Sequence, residues 1–205
     1  MNNFNLIAPV YEWLKTLVFG NVLHLAERHF CHLIEADAHV LIVGGGHGKI
    51  LKHLPQGCQV HYLEYSSTMI EFAKKNASGR DVRFIHGDFL TVEFGKQYDW
   101  VLANFFLDVF NPVNLQIASD KTYRLLRDSG QMLVTDFSPM DKTSGKMLLW
   151  IMHQFFRITA RLESNRIQPI KKHLQQAGYE LQDQQDFMGG KVFSAIFKKN
   201  GNLSN

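Results

Sequence analysis

Four glycines lie within five positions of one short segment, directly after an apolar run. The segment reads VLIVGGGHG over residues 40–48, and its glycines are Gly44, Gly45, Gly46 and Gly48. Glycine contributes no side chain and loses more conformational freedom on folding than other residues, so such a cluster needs a physical reason. Two reasons are sound: a tight turn with positive φ angles, or a ligand that must approach the bare backbone closely.

Two carboxylates follow this glycine segment, each near the end of a later apolar run. Glu64 lies in QVHYLEY (59–65), about twenty residues after Gly44, which is the separation at which an acidic side chain can bind the hydroxyls of a ribose. Asp88 lies in HGDF (86–89) and could accept a hydrogen bond from the exocyclic amine of an adenine, to which Phe89 offers an apolar face. The three features together predict a nucleoside site that does not require a pyrophosphate.

Two other glycine loops match the segment less well. A phosphate-binding P-loop would need glycine where Val43 stands and serine or threonine where Ile50 stands. A dinucleotide-binding fingerprint, Gly-x-Gly-x-x-Gly, begins correctly at Gly44 and Gly46 but has Lys49 in place of its third glycine. An NAD(P)-dependent oxidoreductase therefore remains only as an alternative interpretation.

Short strands that alternate with helices are predicted to position these residues. Apolar runs rich in β-branched and aromatic residues occupy 39–43, 59–65, 82–87, 98–106 and 131–137. Helix-like segments occupy 48–54, 67–76 and 113–127. This alternation predicts right-handed βαβ units, and hence an α/β fold with a mostly parallel sheet.

The two ends of the chain carry different patterns. Residues 179–199 form two extended runs around Gly189-Gly190, which predicts an antiparallel hairpin. Near the other end, Asn21 could cap a helix. The apolar face of that helix is predicted to contain Val22, Leu25, Ala26, His29, Phe30 and Leu33.

Composition narrows the class of protein. A chain of 205 residues that is 45% hydrophobic and 20% charged predicts one globular domain over residues 1–205. The net charge of +3 is spread over scattered Lys and Arg residues, which disfavours nucleic-acid binding. Two cysteines, an opening without a basic leader segment and apolar runs far shorter than the roughly 20 residues of a membrane span predict a cytoplasmic protein without an integral membrane segment.

Histidines and cysteines do not predict a metal site. His24 and His32 would share a helix face, but His29 lies off that face and no cysteine completes a set of ligands. Cys31 and Cys58 lack the spacing of a redox pair and are expected to be small buried apolar residues.

The motifs resemble those of the class I S-adenosylmethionine-dependent methyltransferases over about residues 37–137. VLIVGGGHG resembles the first motif of that family, HYLEYSSTMI the second with its acid-x-Ser-x-x-Met pattern, IHGDF the third and YDWVLANFFLDVF the fourth. The opening FNLIAPVYEWL is similar to the entry helix of the quinone-biosynthesis C-methyltransferase branch. One position departs from the family. The acid that usually stands two residues before the first glycine, where it orders the loop and helps to hold the methionine amino group, is replaced by Ile42.

The resemblance implies a three-layer, Rossmann-like α/β fold with a mostly parallel seven-stranded sheet and a C-terminal antiparallel hairpin. It also implies that residues 1–36 form N-terminal helices that cap the site, and that S-adenosyl-L-methionine is the cofactor. The residues expected to bind it are Gly44, Gly45, Gly46, Gly48, Glu64, Tyr65, Asp88, Phe89 and Asn104.

The segment after Asn104 indicates the kind of methyl acceptor. Methyltransferases that act on adenine or glutamine nitrogen use an Asn-Pro-Pro-Tyr loop, and here both prolines are replaced by phenylalanine. The apolar segment FFLDVF instead surrounds one carboxylate, Asp108, so we expect a small, largely apolar acceptor. Candidate catalytic residues are Asp108, His153 and Tyr11. A non-catalytic binding module of the same fold remains an alternative because of Ile42, and no oligomeric state is predicted.

Overall fold

The computed structural model of the protein describes residues 21–139 and 168–200, and the elements are numbered within these ranges. The strands are β1 (His39–Val43), β2 (Gln59–Glu64), β3 (Asp81–His86), β4 (Tyr98–Asn104), β5 (Leu126–Phe137), β6 (Tyr179–Phe187) and β7 (Val192–Lys199). The α-helices are α1 (Val22–Arg28), α2 (Ser67–Asn76), α3 (Pro112–Leu125) and α4 (Ile170–Gln176). Short 3₁₀ helices span Cys31–Leu33, Lys49–His53 and Leu107–Val109.

The seven strands form one sheet in the order β3-β2-β1-β4-β5-β7-β6. Strands β1 to β5 pair in parallel, whereas β7 pairs antiparallel with both β5 and β6. The mostly parallel sheet and the terminal hairpin are therefore as predicted. The order of the strands reverses between β1 and β4, and the carboxyl ends at such a reversal form a crevice in which α/β proteins bind ligands.

Helices cover both faces of the sheet, which confirms the predicted three layers. On one face α3 and α4 bury side chains that include Leu115 and Leu174. On the other face the segment before β1, the Lys49–His53 turn and α2 bury a second cluster that includes Ile50. Strand β1 is buried from Val40 onwards, as expected for a strand with both faces covered.

Helix α1 differs from its prediction. The predicted apolar face is confirmed at Ala26 and Phe30, which are buried. It is wrong at Leu25 and Leu33, which are 42% and 44% exposed, and it omitted the buried Leu23. The helix ends at Arg28 after seven residues, so its periodicity does not extend to Leu33. Helix α1 contacts β6 and β7. The remainder of the predicted cap, residues 1–20, lies outside the described residues.

Two further boundaries differ from the predictions. The helix expected over 48–54 is a 3₁₀ helix over Lys49–His53. Strand β5 begins at Leu126 rather than at residue 131, and its pairing with β4 shifts register between Tyr98 and Trp100. In the described part of the chain, no helix has both the length and the apolar character needed to cross a bilayer.

Candidate active site

The carboxyl ends of four neighbouring strands bring the predicted site residues to one edge of the sheet. Gly44 follows β1, Glu64 ends β2, Asp88 lies two residues beyond β3 and Asn104 ends β4. Because these strands run parallel, their ends lie at the same edge, beside the reversal between β1 and β4.

Three glycines of the loop are needed because other parts of the protein pack closely against them. A Cβ atom on Gly44 would overlap the ring of Phe106, which follows β4. A Cβ atom on Gly45 would overlap the ring of Tyr62 on β2, and one on Gly48 would overlap helix α2. These glycines therefore allow the loop to pack against its own protein, a requirement that the motif alone did not reveal.

Gly46 is different, because its Cβ position faces open space. Among residues 21–139 and 168–200, no atom beyond its chain neighbours lies within 4 Å of that position, and the residue has a φ of +59°, which favours glycine. Its peptide groups are held on both sides: the N–H donates to Glu64 Oε2 over 2.9 Å, and the carbonyl accepts from the hydroxyl of Tyr62 over 2.8 Å. The loop thus presents a fixed, bare stretch of backbone that a ligand can approach.

The Glu64 carboxylate connects the glycine loop to helix α2. Its second oxygen, Oε1, accepts a hydrogen bond from the N–H of Ser66 over 2.8 Å, and the Ser66 hydroxyl accepts from the N–H of Met69 at the start of the helix. This chain of contacts explains the acid and the serine of the acid-x-Ser-x-x-Met pattern. Burial raises the pKa of Glu64, and the N–H donors of Ser66 and Gly46 oppose that rise. Each carboxylate oxygen has two lone pairs, so the carboxylate keeps acceptor capacity for the hydroxyls of a bound ribose.

The segment after β3 combines two roles. Asp88 is exposed at the edge, and its Oδ1 accepts from the N–H of Leu90 over 2.9 Å, so the carboxylate also stabilises the turn.

The predicted role of Phe89 as an adenine face needs correction. Its ring is buried and packs edge-on against Phe106, with the centroids 5.6 Å apart, so it supports the turn from below. Tyr65 is 65% exposed beside Glu64 and leaves its ring free to contact a ligand.

Lys121 on α3 holds the same segment in place. Its ammonium group donates to the carbonyls of Leu90 and Val92 over 3.3 Å and 2.5 Å, and it lies 5.3 Å from the centroid of the Phe89 ring. Burial lowers the pKa of Lys121. Sequence analysis missed this residue, because a lysine in an amphipathic helix is ordinarily solvated.

The turn after β4 carries backbone strain at the point where the strand order reverses. Phe105 has a φ of +50°, a conformation that non-glycine residues rarely adopt and that clusters at functional sites. Its N–H donates to the carbonyl of Thr135 over 2.7 Å, which fixes the turn against β5. The buried Oδ1 of Asn104 has no hydrogen-bond partner within the described ranges.

A pair of buried carboxyl groups lies beneath this turn. Asp108 is 5% exposed, and its carboxyl group hydrogen-bonds that of Asp136 at the end of β5. Asp136 also accepts hydrogen bonds from the backbone N–H groups of Leu107, Asp108 and Phe137, over 3.1, 3.3 and 2.9 Å. Among the residues that the structure describes, Oδ1 of Asp108 has no partner. Sequence analysis found Asp108 but not Asp136, which reads in TDF as an ordinary strand-end residue.

Burial determines the protonation of this pair. It raises the pKa of Asp108 to about 7. It also raises the pKa of Asp136, and the negative charge of Asp108 adds to that rise. Two carboxylates in contact cannot both ionise at low cost, so the pair retains a proton over most of the neutral range. The site therefore contains a buried group that can take up a proton near neutral pH.

The remaining predictions concern two candidate catalytic residues and a possible metal site. Tyr11 and His153 lie outside the described residues, so their roles stay predictions. His24 pairs with Glu27, its Nδ1 lying 3.0 Å from the carboxylate. Across residues 21–139 and 168–200, no group of His, Cys, Asp and Glu is arranged to hold a metal ion.

A family model matches part of the chain, and several curated proteins are similar to it. Residues 40–130 match the family described as "Methyltransferase domain". The demethylmenaquinone methyltransferase of Chlamydia felis is 22% identical over 157 residues, which cover 75% of this chain and 66% of that protein. The carboxy-S-adenosyl-L-methionine synthase of Enterobacter sp. (strain 638) is 27% identical over 145 residues, or 61% of this chain and 58% of that protein. The chain thus spans less than two thirds of the length of either relative.

Solved structures share the fold. The 1,6-didemethyltoxoflavin-N1-methyltransferase of Burkholderia thailandensis, solved with 1,6-didemethyltoxoflavin and S-adenosylhomocysteine, matches with a TM-score of 0.67 at 17% identity. The match covers 96% of this chain and 86% of that one. The strand order, the glycine loop, the acids at the strand ends and the domain match all agree with the resemblance carried by the motifs. The chain has the fold of the class I methyltransferases, and its residues 40–130 match a methyltransferase domain.

Proposed function

We propose that the protein uses S-adenosylmethionine to methylate a small, largely apolar acceptor. The observation that carries the proposal is the open backbone at Gly46, held directly beside the Glu64 carboxylate at the reversal of strand order. S-adenosylmethionine supplies a methyl group that is activated by the positive charge on its sulfur. The protein must therefore mainly align the reactants, exclude water and remove a proton where the acceptor requires it.

The residues at the edge of the sheet are suited to the donor. Glu64 would accept hydrogen bonds from the ribose hydroxyls, and Asp88 would accept one from the adenine amine. The bare backbone at Gly46 would contact the remainder of the ligand. A pyrophosphate-containing nucleotide is a poorer match, because Lys49 stands where the third glycine of a dinucleotide loop belongs.

Aromatic residues line the acceptor side. Phe105 and Phe106 are half-buried in the turn after β4, and their rings pack against Phe137 and Phe110, each pair with centroids 5.1 Å apart. An apolar acceptor would be desolvated by such a surface at little cost, whereas a highly charged one would lose its hydration without compensation. The composition of this turn supports an apolar small molecule as the acceptor.

Within the proposal, Asp108 accepts the proton that the acceptor loses. A general base works best when its pKa lies near the operating pH, and burial brings the pKa of Asp108 to about 7. Asp136 positions Asp108 by binding its backbone N–H and its carboxyl group. Tyr11 and His153 remain alternative candidates for this step. A single domain over residues 1–205, a cytoplasmic location and the absence of a nucleic-acid partner are further parts of the proposal.

Ligand binding and label transfer test the proposed function. We expect calorimetry to show binding of S-adenosylhomocysteine in the micromolar range and none of NADH. With S-adenosylmethionine labelled in its methyl group, incubation with a cell extract should move label into the organic-soluble fraction. Label found in protein or nucleic acid would contradict the small apolar acceptor, and donor binding without any label transfer would favour a non-catalytic module.

Glu64→Ala should weaken the binding of S-adenosylhomocysteine by about ten- to a hundredfold, because charge-assisted hydrogen bonds to the ribose are lost together with the anchor of the loop. The matched control is Glu71→Ala on helix α2, where the carboxylate is exposed and pairs with Lys74. Calorimetry on both folded variants measures the difference. Equal affinities for the two variants would show that Glu64 does not bind the donor.

Gly46→Ala should abolish donor binding, because its methyl group would occupy the open space beside the loop. Gly79→Ala is a close control, since Gly79 also has a positive φ of +73° and no atom of the described part of the chain within 4 Å of its Cβ position. Both substitutions strain the backbone, so we expect similar losses of about 1 kcal/mol in the free energy of unfolding. If both variants bound S-adenosylhomocysteine equally well, Gly46 would be needed only for the backbone conformation of the turn.

Asp108→Asn should stabilise the protein at pH 8 relative to wild type and have much less effect at pH 5. A carboxyl group whose pKa is raised by folding favours the folded state below its unfolded pKa of about 4, and this contribution is lost as pH rises towards about 7. Asparagine cannot ionise, so the variant stays neutral at this position and does not lose this stabilising contribution as the pH rises. Thermal unfolding at both pH values measures the effect, and Asp128→Asn at a fully exposed carboxylate is the control. A pH-independent difference would show that Asp108 is not the titrating group.

A further inference from the structure

The residue that orders the glycine loop is not the one that the family pattern supplies. In the family an acid two residues before the first glycine has that role, and this chain has Ile42, whose side chain is buried among apolar groups and cannot hydrogen-bond. The loop is nevertheless held at Gly46, whose carbonyl accepts from the Tyr62 hydroxyl over 2.8 Å. Ile42 and Tyr62 are direct partners in the register of β1 and β2. The hydroxyl therefore reaches the loop from the strand position beside the one where the acid is missing.

The glycine loop itself accommodates Tyr62. The family pattern Gly-x-Gly-x-Gly allows any residue at position 45, yet this chain has glycine there. The structure gives the reason, because a Cβ atom on Gly45 would lie 2.5 Å from the Tyr62 hydroxyl and still closer to its ring. The side chain of Tyr62 fills the space directly beneath the loop. Gly45 and Tyr62 are thus a matched pair, and neither is explained without the other.

We propose that Tyr62 is a positioning residue that orders the glycine loop for the methyl donor, in place of the acid missing at position 42. The inference rests on the proposed function, since it concerns the affinity of the same site. Tyr62 does not touch the donor; it acts through the peptide group of Gly46. Together with Glu64, which binds the N–H of Gly46, it fixes the orientation of the backbone that the donor would approach.

The chemistry of a buried tyrosine suits this role. Burial raises the pKa of Tyr62 well above its usual range, so the hydroxyl stays neutral and remains a donor throughout the neutral range. An ionised carboxylate beneath the loop would bury a negative charge, whereas the hydroxyl binds a carbonyl without any buried charge. The order of the loop is therefore independent of pH on this side, and the negative charge of the site is confined to the acids at the strand ends.

The test compares two tyrosine-to-phenylalanine substitutions that each remove one buried hydroxyl. Tyr62→Phe should weaken the binding of S-adenosylhomocysteine by about three- to tenfold, the effect of losing one hydrogen bond that orders the site. Tyr179→Phe is the control, because Tyr179 is also buried and its hydroxyl donates to Thr122 Oγ1 over 3.1 Å, at the α3–β6 contact. We expect both substitutions to lower the melting temperature, but only Tyr62→Phe to change the affinity.

Hydrogen exchange of the free protein supplies a readout that needs no ligand. Tyr62→Phe should speed exchange of the amide protons of Gly46 and Gly48 relative to those of β7, and Tyr179→Phe should not. A wild-type protein that binds no S-adenosylhomocysteine would contradict the proposed function, and the exchange rates would still decide the role of Tyr62. Affinity and loop exchange in Tyr62→Phe that match those of Tyr179→Phe would overturn the inference.

Discussion

The hydrogen bonds accepted by the Glu64 carboxylate are the contacts on which the rest of the site depends. One oxygen binds the loop that follows β1 and the other binds the first turn of α2, so a single side chain sets the positions of two elements. Glu64 can do this because the parallel pairing of β1 and β2 ends both strands at the same level. The same carboxylate is the group that we propose binds the ribose of the donor.

The reversal of strand order brings the turns after β1 and β4 together. The turn after β4 approaches the turn after β1 so closely that Phe106 packs on Gly44. This contact places an aromatic ring against the loop at Gly44, whereas no atom of the described residues lies within 4 Å of the Cβ position of Gly46. Beneath it, Asp136 binds three backbone N–H groups of the adjoining segments and so couples β5 to the 3₁₀ turn that carries Asp108.

The layout of the sheet and the edge at which Gly44, Glu64 and Asp88 meet could be predicted from the sequence, because strand periodicity and the parallel βαβ rule are local or general properties. The buried face of α1 could not be predicted, because it depends on where this seven-residue helix ends. Tyr62, Asp136 and Lys121 were also missed. Each acts on backbone that lies 16 to 31 residues away along the chain, and only the strand register and helix packing bring these groups together.

The packing of Tyr62 beneath Gly45 links two positions that are separated by a strand and a turn. A larger residue at 45 is compatible with the fold only after the ring at 62 has become smaller, and a smaller residue at 62 leaves a void unless another group grows into it. Substitutions at the two sites must therefore accumulate in a particular order during divergence. Related chains are expected to show a covariation of positions 42, 45 and 62 that the conserved chemistry of methyl transfer does not itself demand.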